Sequence, residues 1–363
     1  MSGRSKTNLK ECSYEPVKKS DEIPKRIKNS VAFHWSKTKQ NRYMWVLYLI
    51  LGILLVILLG IYIVIPVAFK YSGEFQRMLV FQNMFNLPKH SNYSDLSAFG
   101  LKGARNFRLK HHDVDIGVWH ILPSSMNLNN VSDSIFEESL KKAPRILLYN
   151  HGNTGSRGTS YRVEMYKFLR KHFHVITYDY RGFGDSTGDP RSESDVVKDS
   201  IFMTRWVLSK LSSRAHLFLW GHSMGSSVTL AAAKALKREN LRPTGIVLEA
   251  SFYTGREAIA STPSCKFFRF LPWFSTCIID PLMENDFRFP SYEYILETDC
   301  PVLIVHSKDD GTISYKHAEK LYKETLKNRT EAQGSVEFVT FSEKLNCGHN
   351  HLYRAQNLSD VIE

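Results

Sequence analysis

Ser223 lies in Gly221-His222-Ser223-Met224-Gly225, which fits the G-x-S-x-G pattern of a nucleophile elbow. A hydroxyl attacks well only when a base takes its proton and the turn that carries it exposes the oxygen. A strand that bends abruptly into a helix meets the second need but strains the serine backbone, and Gly221 and Gly225 leave room for that bend. The pentapeptide is short enough to arise by chance. Its weight rests on three further parts in chain order: an oxyanion-binding segment before it, then an acid, then a histidine.

All three parts are present. Asn150-His151-Gly152-Asn153-Thr154-Gly155 forms a glycine-containing loop before a predicted helix. Its Asn153 N–H, with that of Met224 directly after the serine, would bind a developing oxyanion, each donor lowering the barrier by about 3 to 4 kcal/mol. Downstream, His306-Ser307-Lys308-Asp309-Asp310-Gly311 offers two acids. Asp310 is favoured over Asp309 because it stands in H-x-x-x-D spacing from His306. Its task is to accept an imidazole N–H and hold the tautomer. Cys347-Gly348-His349-Asn350-His351 offers two histidines, and His349, next to the glycine, is favoured over His351. One rival fails: His174 and Asp179 fit H-x-x-x-x-D, an acyltransferase-like pattern, but bracket a predicted strand that holds them about 16 Å apart.

These residues need a scaffold. From Arg145 onward short apolar runs alternate with helical stretches, the pattern of a mostly parallel sheet with helices on both faces. The predicted strands are 146–149, 175–178, 216–220, 245–248, 302–305 and 336–341, with helices near 161–171, 195–210, 226–236 and 315–326. Two earlier strands, 107–110 and 116–122, suit an antiparallel start, and the polar stretch 124–142 reads as a surface excursion. Residues 251–294, inserted between two strands, form a predicted cap. Phe267, Phe268, Phe270 and Trp273 cluster there with Lys266 and Arg269, a composition suited to an acyl chain and an anionic headgroup.

The net charge of +12 is uneven: residues 1–42 carry eleven Lys/Arg against four Asp/Glu, hence +7. With no zinc-finger or RNA-binding motif in view, nucleic-acid binding is disfavoured. Residues 43–69 carry no formal charge, and seventeen of them are Leu, Ile or Val. That run predicts a transmembrane helix, with insertion favoured by on the order of 5 to 10 kcal/mol. The basic 42-residue tail before it argues against a cleaved signal peptide and for a cytoplasmic N-terminus. The sequons at Asn92, Asn130, Asn328 and Asn357 all follow the span, as they would in a domain on the far side. Phe75 to Phe85, just past it, reads either as an interfacial amphipathic helix or as a helix packed on the domain. Cys12 would be cytosolic; Cys265, Cys277, Cys300 and Cys347 would lie where disulfides can form, 265 with 277 being the pair to test first.

With elbow, oxyanion loop, acid and histidine in order, and with Asp179-Tyr180-Arg181-Gly182-Phe183-Gly184-Asp185-Ser186 after a predicted strand, the chain resembles the α/β-hydrolase superfamily. More narrowly it resembles the α/β-hydrolase domain-containing protein 12 group. The matching features are the basic tail, the single span, His151-Gly152-Asn153-Thr154-Gly155, Arg162-Val163-Glu164-Met165-Tyr166-Lys167, Trp220-Gly221-His222-Ser223 and Leu248-Glu249-Ala250. The resemblance implies an α/β-hydrolase fold with a small cap, preceded by one transmembrane helix. It also implies a serine hydrolase of the endoplasmic-reticulum membrane, with a luminal site, acting on lysophosphatidylserine and monoacylglycerols. The expected layout is a tail over 1–42, a span over 43–69, a juxtamembrane segment over 70–104 and the hydrolase domain over 105–363. Ser223, Asp310 and His349 are the expected triad, and no metal or cofactor is needed. Three departures concern the acid loop, the histidine loop and the last helix: Gly311-Thr312-Ile313 replaces the proline and valines usual after the acid, a second histidine is present, and the chain ends soon after His349. A thioesterase or serine peptidase of the same fold, or a non-catalytic binding protein, are the other readings.

Overall fold

The computed structural model describes residues 25–85, 88, 91–126 and 131–362, in two compact units that divide after Tyr62. In the first unit, α1 (Lys25–Leu59) carries exposed Leu, Ile and Val side chains along its apolar part. Continuous helix over Lys28–Tyr71 is long and apolar enough to cross a membrane. Residues 25–42 of the expected tail are helical, and the rest of it, with Cys12, lies outside the described residues.

The second unit opens with α2 (Ile65–Tyr71) and α3 (Gly73–Val80). Ser72 caps α3 by accepting from Phe75 N–H at 3.2 Å. Then come β1 (Ala104–His111), β2 (Val114–Ile121), α4 (Asp133–Lys142), β3 (Arg145–Asn150), α5 (Ser160–Leu169) and β4 (His174–Tyr178). After these, α6 (Glu193–Lys210), β5 (His216–His222), α7 (Met224–Lys237) and β6 (Gly245–Glu249) lead into the cap. The cap comprises α8 (Gly255–Ser261), α9 (Pro263–Lys266), a π-helical turn at Ser275–Ile279, α10 (Asp280–Glu284) and α11 (Ser291–Leu296). The chain returns through β7 (Val302–Ser307), α12 (Tyr315–Asn328), β8 (Val336–Phe341) and a short α13 (Leu358–Ile362). The strand order is β1-β2-β4-β3-β5-β6-β7-β8, antiparallel at β1–β2 and β2–β4 and parallel elsewhere.

Period-two alternation builds the core on both faces of this sheet. Ile146, Leu148, Leu217, Leu219, Ile246 and Leu248 pack on one side with α6, α7 and α12; Leu147, Tyr149, Trp220 and Val247 pack on the other with α5 and α13. Leu358 is fully buried, so the short last helix still closes that second face.

One expectation is corrected. The stretch read as a surface excursion contains α4, whose Phe136 and Leu140 are buried one helical turn apart. Three apolar residues among charges, one of them the exposed Ile135, give only a weak helical pattern in the sequence, and Arg105, stacked 5.1 Å over Phe136, completes the packing. In the segment after the long apolar helix, Val80 and Phe81 are buried in the core, whereas Phe75, Met78 and Phe85 are exposed.

Gln76, with no exposed surface, ties α2, α3 and the cap together. Its amide donates to the Phe69 carbonyl at 2.9 Å and the Lys70 carbonyl at 3.1 Å, while its oxygen accepts from Asn285 Nδ2 at 2.7 Å. A buried polar group that loses its partner costs about 1 to 3 kcal/mol. Gln76→Leu is therefore expected to lower stability by about 2 to 4 kcal/mol, read as a fall in thermal midpoint of the detergent-solubilised full chain.

Candidate active site

Ser223 stands between β5 and α7 with φ 54° and ψ −121°, a conformation unfavourable for a side chain larger than glycine. The fold holds it there from both sides. Its N–H donates to the Glu249 carbonyl at 2.9 Å, and its carbonyl accepts from Ser226 N–H at 2.9 Å and Ser226 Oγ at 2.7 Å. The glycines permit the close approach. A Cβ on Gly225 would strike the Asn150 carbonyl of β3, and one on Gly221 would strike the Gly225 carbonyl and Thr229 Oγ1.

The carboxyl ends of β7 and β8 deliver the other two side chains. His349 Nε2 lies 3.0 Å from Ser223 Oγ, and His349 Nδ1 lies 2.7 Å from Asp310 Oδ2. The second Asp310 oxygen accepts from the backbone N–H groups of Thr312 at 2.8 Å and Ile313 at 2.9 Å, so Gly311-Thr312-Ile313 supplies donors in place of the proline sequence usual after the acid. His306 Nε2 is 3.1 Å from Asp310 Oδ2 and 2.9 Å from the Ile313 carbonyl. Burial alone would raise the Asp310 pKa, but hydrogen bonds from His306 and His349 hold the carboxyl well below its ordinary value.

The less favoured candidates make other contacts. Asp309 Oδ2 accepts from Gly348 N–H at 3.0 Å and thereby ties the acid loop to the histidine loop. His351 sits edge-on to Tyr161, ring centroids 6.2 Å apart. His222 Nε2 is 2.9 Å from the His349 carbonyl; burial pushes its pKa well below the ordinary value, and the neutral ring holds the backbone that carries His349. His174 faces His120 at 3.3 Å, whereas Asp179 binds Arg157, so the H-x-x-x-x-D pair shares no proton.

Ser223, His349, Asn153 and Met224 line one cavity of about 480 Å³. Its walls are mainly apolar, with Leu79, Val80, Ala258, Ile259, Phe289 and Ile313 among them. The Asn153 carbonyl accepts from Gln82 N–H at 2.9 Å and its side chain donates to the Val80 carbonyl at 3.1 Å. Arg162, fully buried, donates to the Thr154 carbonyl at 2.7 Å and the Ser156 carbonyl at 2.8 Å, so the loop is held from both α3 and α5. Behind it, Arg157 is buried against Asp179 and Asp185. Residue types alone did not reveal the tethering roles of Arg162, Arg157, Gln82 or Val80. His306 did leave a signal, its spacing from Asp310.

The aromatic residues assigned to substrate lie elsewhere. Phe267, Phe268, Phe270 and Trp273 are not among the residues lining the cavity, and Phe267 and Phe270 are 81% and 76% exposed. Cap helix α8 presents Ala258 and Ile259 to the cavity instead. Composition located an apolar cap, but the turns after α8 carry its aromatic end outward. Cys265, Cys277, Cys300 and Cys347 are all free thiols, so the 265–277 pairing does not form. Asn92, Asn328 and Asn357 are exposed; Asn130 lies outside the described residues.

Comparison with known proteins follows the same lines. A family model described as serine aminopeptidase, S33, matches residues 141–290. The lysophosphatidylserine lipase ABHD12 of Danio rerio is 34% identical over 313 residues, covering 85% of this chain and 81% of its own. The chain belongs to the ABHD12 family of α/β-hydrolases. Protein ABHD12B of Homo sapiens is 34% identical over 270 residues, 73% of each chain. A Pyrococcus furiosus esterase superposes with a TM-score of 0.54 at 16% identity, covering 76% of this chain and 94% of its own, and shares the fold.

In this member of the family, Glu249 is buried beneath the elbow, accepts from Trp220 Nε1 at 2.7 Å, and is pushed up to about 8 chiefly by burial. The unfolded carboxyl releases its proton near its ordinary value of 4.5, so between there and about 8 only the folded state keeps it. Stability should thus fall as pH rises through that window, by on the order of a few kcal/mol. Glu249→Gln retains an acceptor for Trp220 and is expected to flatten the decline, measured by denaturant unfolding of both proteins from about pH 5 to pH 8.

Proposed function

We propose that this chain is a membrane-anchored serine hydrolase that cleaves the acyl ester of lysophospholipids, lysophosphatidylserine among them, and of monoacylglycerols. The observation that carries this reading is the unbroken line from Ser223 Oγ through His349 to Asp310, at 3.0 and 2.7 Å, opening on an apolar cavity. Relatives named lysophosphatidylserine lipase, 31–34% identical, support the substrate class.

In the proposed reaction His349 Nε2 takes the hydroxyl proton as Ser223 Oγ bonds to the acyl carbonyl carbon. Asp310 keeps the Nδ1–H tautomer and offsets the charge that develops on the ring. The N–H groups of Met224 and Asn153 receive the oxyanion. The tetrahedral intermediate collapses, the leaving alcohol takes the proton from His349, and water then releases the fatty acid by the same route in reverse.

The description of the matching family model raises a peptidase as the competing reading. None of the described residues lining the cavity is acidic, so a peptide's terminal ammonium finds no counter-charge there, whereas an acyl chain finds the apolar walls it needs. The proposed site is the lumen of the endoplasmic reticulum, with the N-terminus in the cytosol. The basic residues before the apolar run and the sequons after it support that orientation.

A fluorophosphonate probe should label the native chain and leave Ser223→Ala unlabelled. Hydrolysis of lysophosphatidylserine and monoacylglycerol should fall about 10⁶-fold in Ser223→Ala and about 10⁴-fold in Asp310→Asn, with peptides uncut. Equal labelling with and without Ser223 would remove the mechanism. Glycosidase treatment should increase gel mobility of the cell-expressed chain; an unchanged band in a chain with intact sequons would remove the support for a luminal domain.

A further inference from the structure

Three phenylalanines within four positions of the cap stand in solvent: Phe267 at 81% exposure, Phe270 at 76% and Phe268 at 40%. Lys266 and Arg269, also exposed, alternate with them, and the Arg269 guanidinium lies 4.6 Å over the Phe270 ring. The next residues turn inward, with Phe274 buried in the core, so the base of this loop is fixed while its tip is bare. Large exposed aromatics beside cations match the composition of the membrane–water interface, where rings sit at headgroup depth and cations meet lipid phosphates.

The packing of α2 locates this loop. That helix ends the uncharged run, and Lys70 is the first charged residue after it, so α2 marks the level at which the proposed span leaves the hydrocarbon. It packs directly against the Ser275–Ile279 turn of the cap, which follows the aromatic loop, and Gln76 and Asn285 lock that contact. The loop is therefore attached, through that turn, to the helix that ends the apolar run.

We propose that Lys266 to Phe270 form a second membrane contact, seating the cap in the leaflet so that a single-chain lipid enters the cavity from the bilayer. This rests on the membrane anchoring proposed above. Both walls of the cavity come from elements next to this region in the chain: Leu79 and Val80 belong to the helix that follows α2, and Ala258 and Ile259 belong to α8, which leads into the aromatic loop. Each methylene of a long acyl chain that moves into water raises its free energy, so an entrance at the membrane avoids that cost. The patch serves delivery of substrate, not its recognition inside the cavity.

The test uses the full chain, one molecule per nanodisc, in phosphatidylcholine with and without phosphatidylserine. The native chain is compared with Phe267→Ser/Phe270→Ser and with Lys266→Ser/Arg269→Ser. Turnover of a long-chain lysophospholipid supplied in the disc should fall about tenfold in the phenylalanine pair, while a water-soluble short-chain ester is cleaved at the native rate. The cation pair should lose rate only in the phosphatidylserine discs. Hydroxyl-radical footprinting should find Phe267 and Phe270 shielded in the disc, with exposed Leu326 on α12 as the oxidised reference. Native lipid turnover in the phenylalanine variant, or oxidation of both rings at the rate their exposure predicts, overturns the membrane contact. A protein partner seated on the patch would give that second result in a disc holding one molecule. Failure of the parent chain on both esters would instead remove the hydrolase reading itself.

Discussion

The site depends on one backbone constraint, the left-handed conformation of Ser223. Such a conformation costs on the order of 1 to 3 kcal/mol and persists only where the surroundings over-determine it. Here β6 supplies an acceptor through the Glu249 carbonyl, the start of α7 supplies two donors through Ser226, and Gly221 and Gly225 let β5, α7 and the end of β3 come into contact. The buried Asn150 reinforces that junction, donating to Thr229 on α7 at 2.8 Å and accepting from Tyr178 at 2.6 Å and Ser200 at 3.0 Å. The elbow is thus the point where three parallel strands and two helices meet, and the sheet is what makes the strain sustainable.

Around that point the ionisable groups are arranged by burial and by donors. Asp310 is deeply buried yet stays charged because two backbone N–H groups and two histidines face it. His222, equally buried but without a carboxylate partner, is neutral and serves through a single contact with the His349 carbonyl. Glu249, with one indole donor, holds its proton into the neutral range. Burial disfavours the charged form of all three, and only Asp310 receives enough donors to stay ionised against it.

The cap and the juxtamembrane helices act as one piece. Leu79, Val80 and Gln82 wall the cavity and brace the oxyanion loop, while Gln76 joins the same segment to the cap through Asn285. The segment that follows the long apolar helix is thereby part of the cavity wall.

The sequence alone determined the order of strands and helices from Arg145 on, because buried parallel strands read as short apolar runs and their spacing excludes other classes. It pointed to Ser223 through the glycine-flanked elbow and the ordered parts around it, and it offered two nearby candidates each for the acid and the base. Spacing in the sequence favoured Asp310 and His349, but the contacts belong to the tertiary structure: Asp310 faces His349 whereas Asp309 faces the Gly348 N–H, a difference of backbone direction that adjacent residues of one type cannot express. The same holds for the cavity walls. Composition marked Phe267, Phe268, Phe270 and Trp273 as apolar, but which side of the cap they occupy depends on how α8 and the following turns pack, and that packing put Ala258 and Ile259 inside and the phenylalanines outside. Helix α4 and the tethers at Arg162 and Gln76 were illegible for a related reason: each is a polar or sparsely apolar residue whose role exists only once distant segments supply its partners.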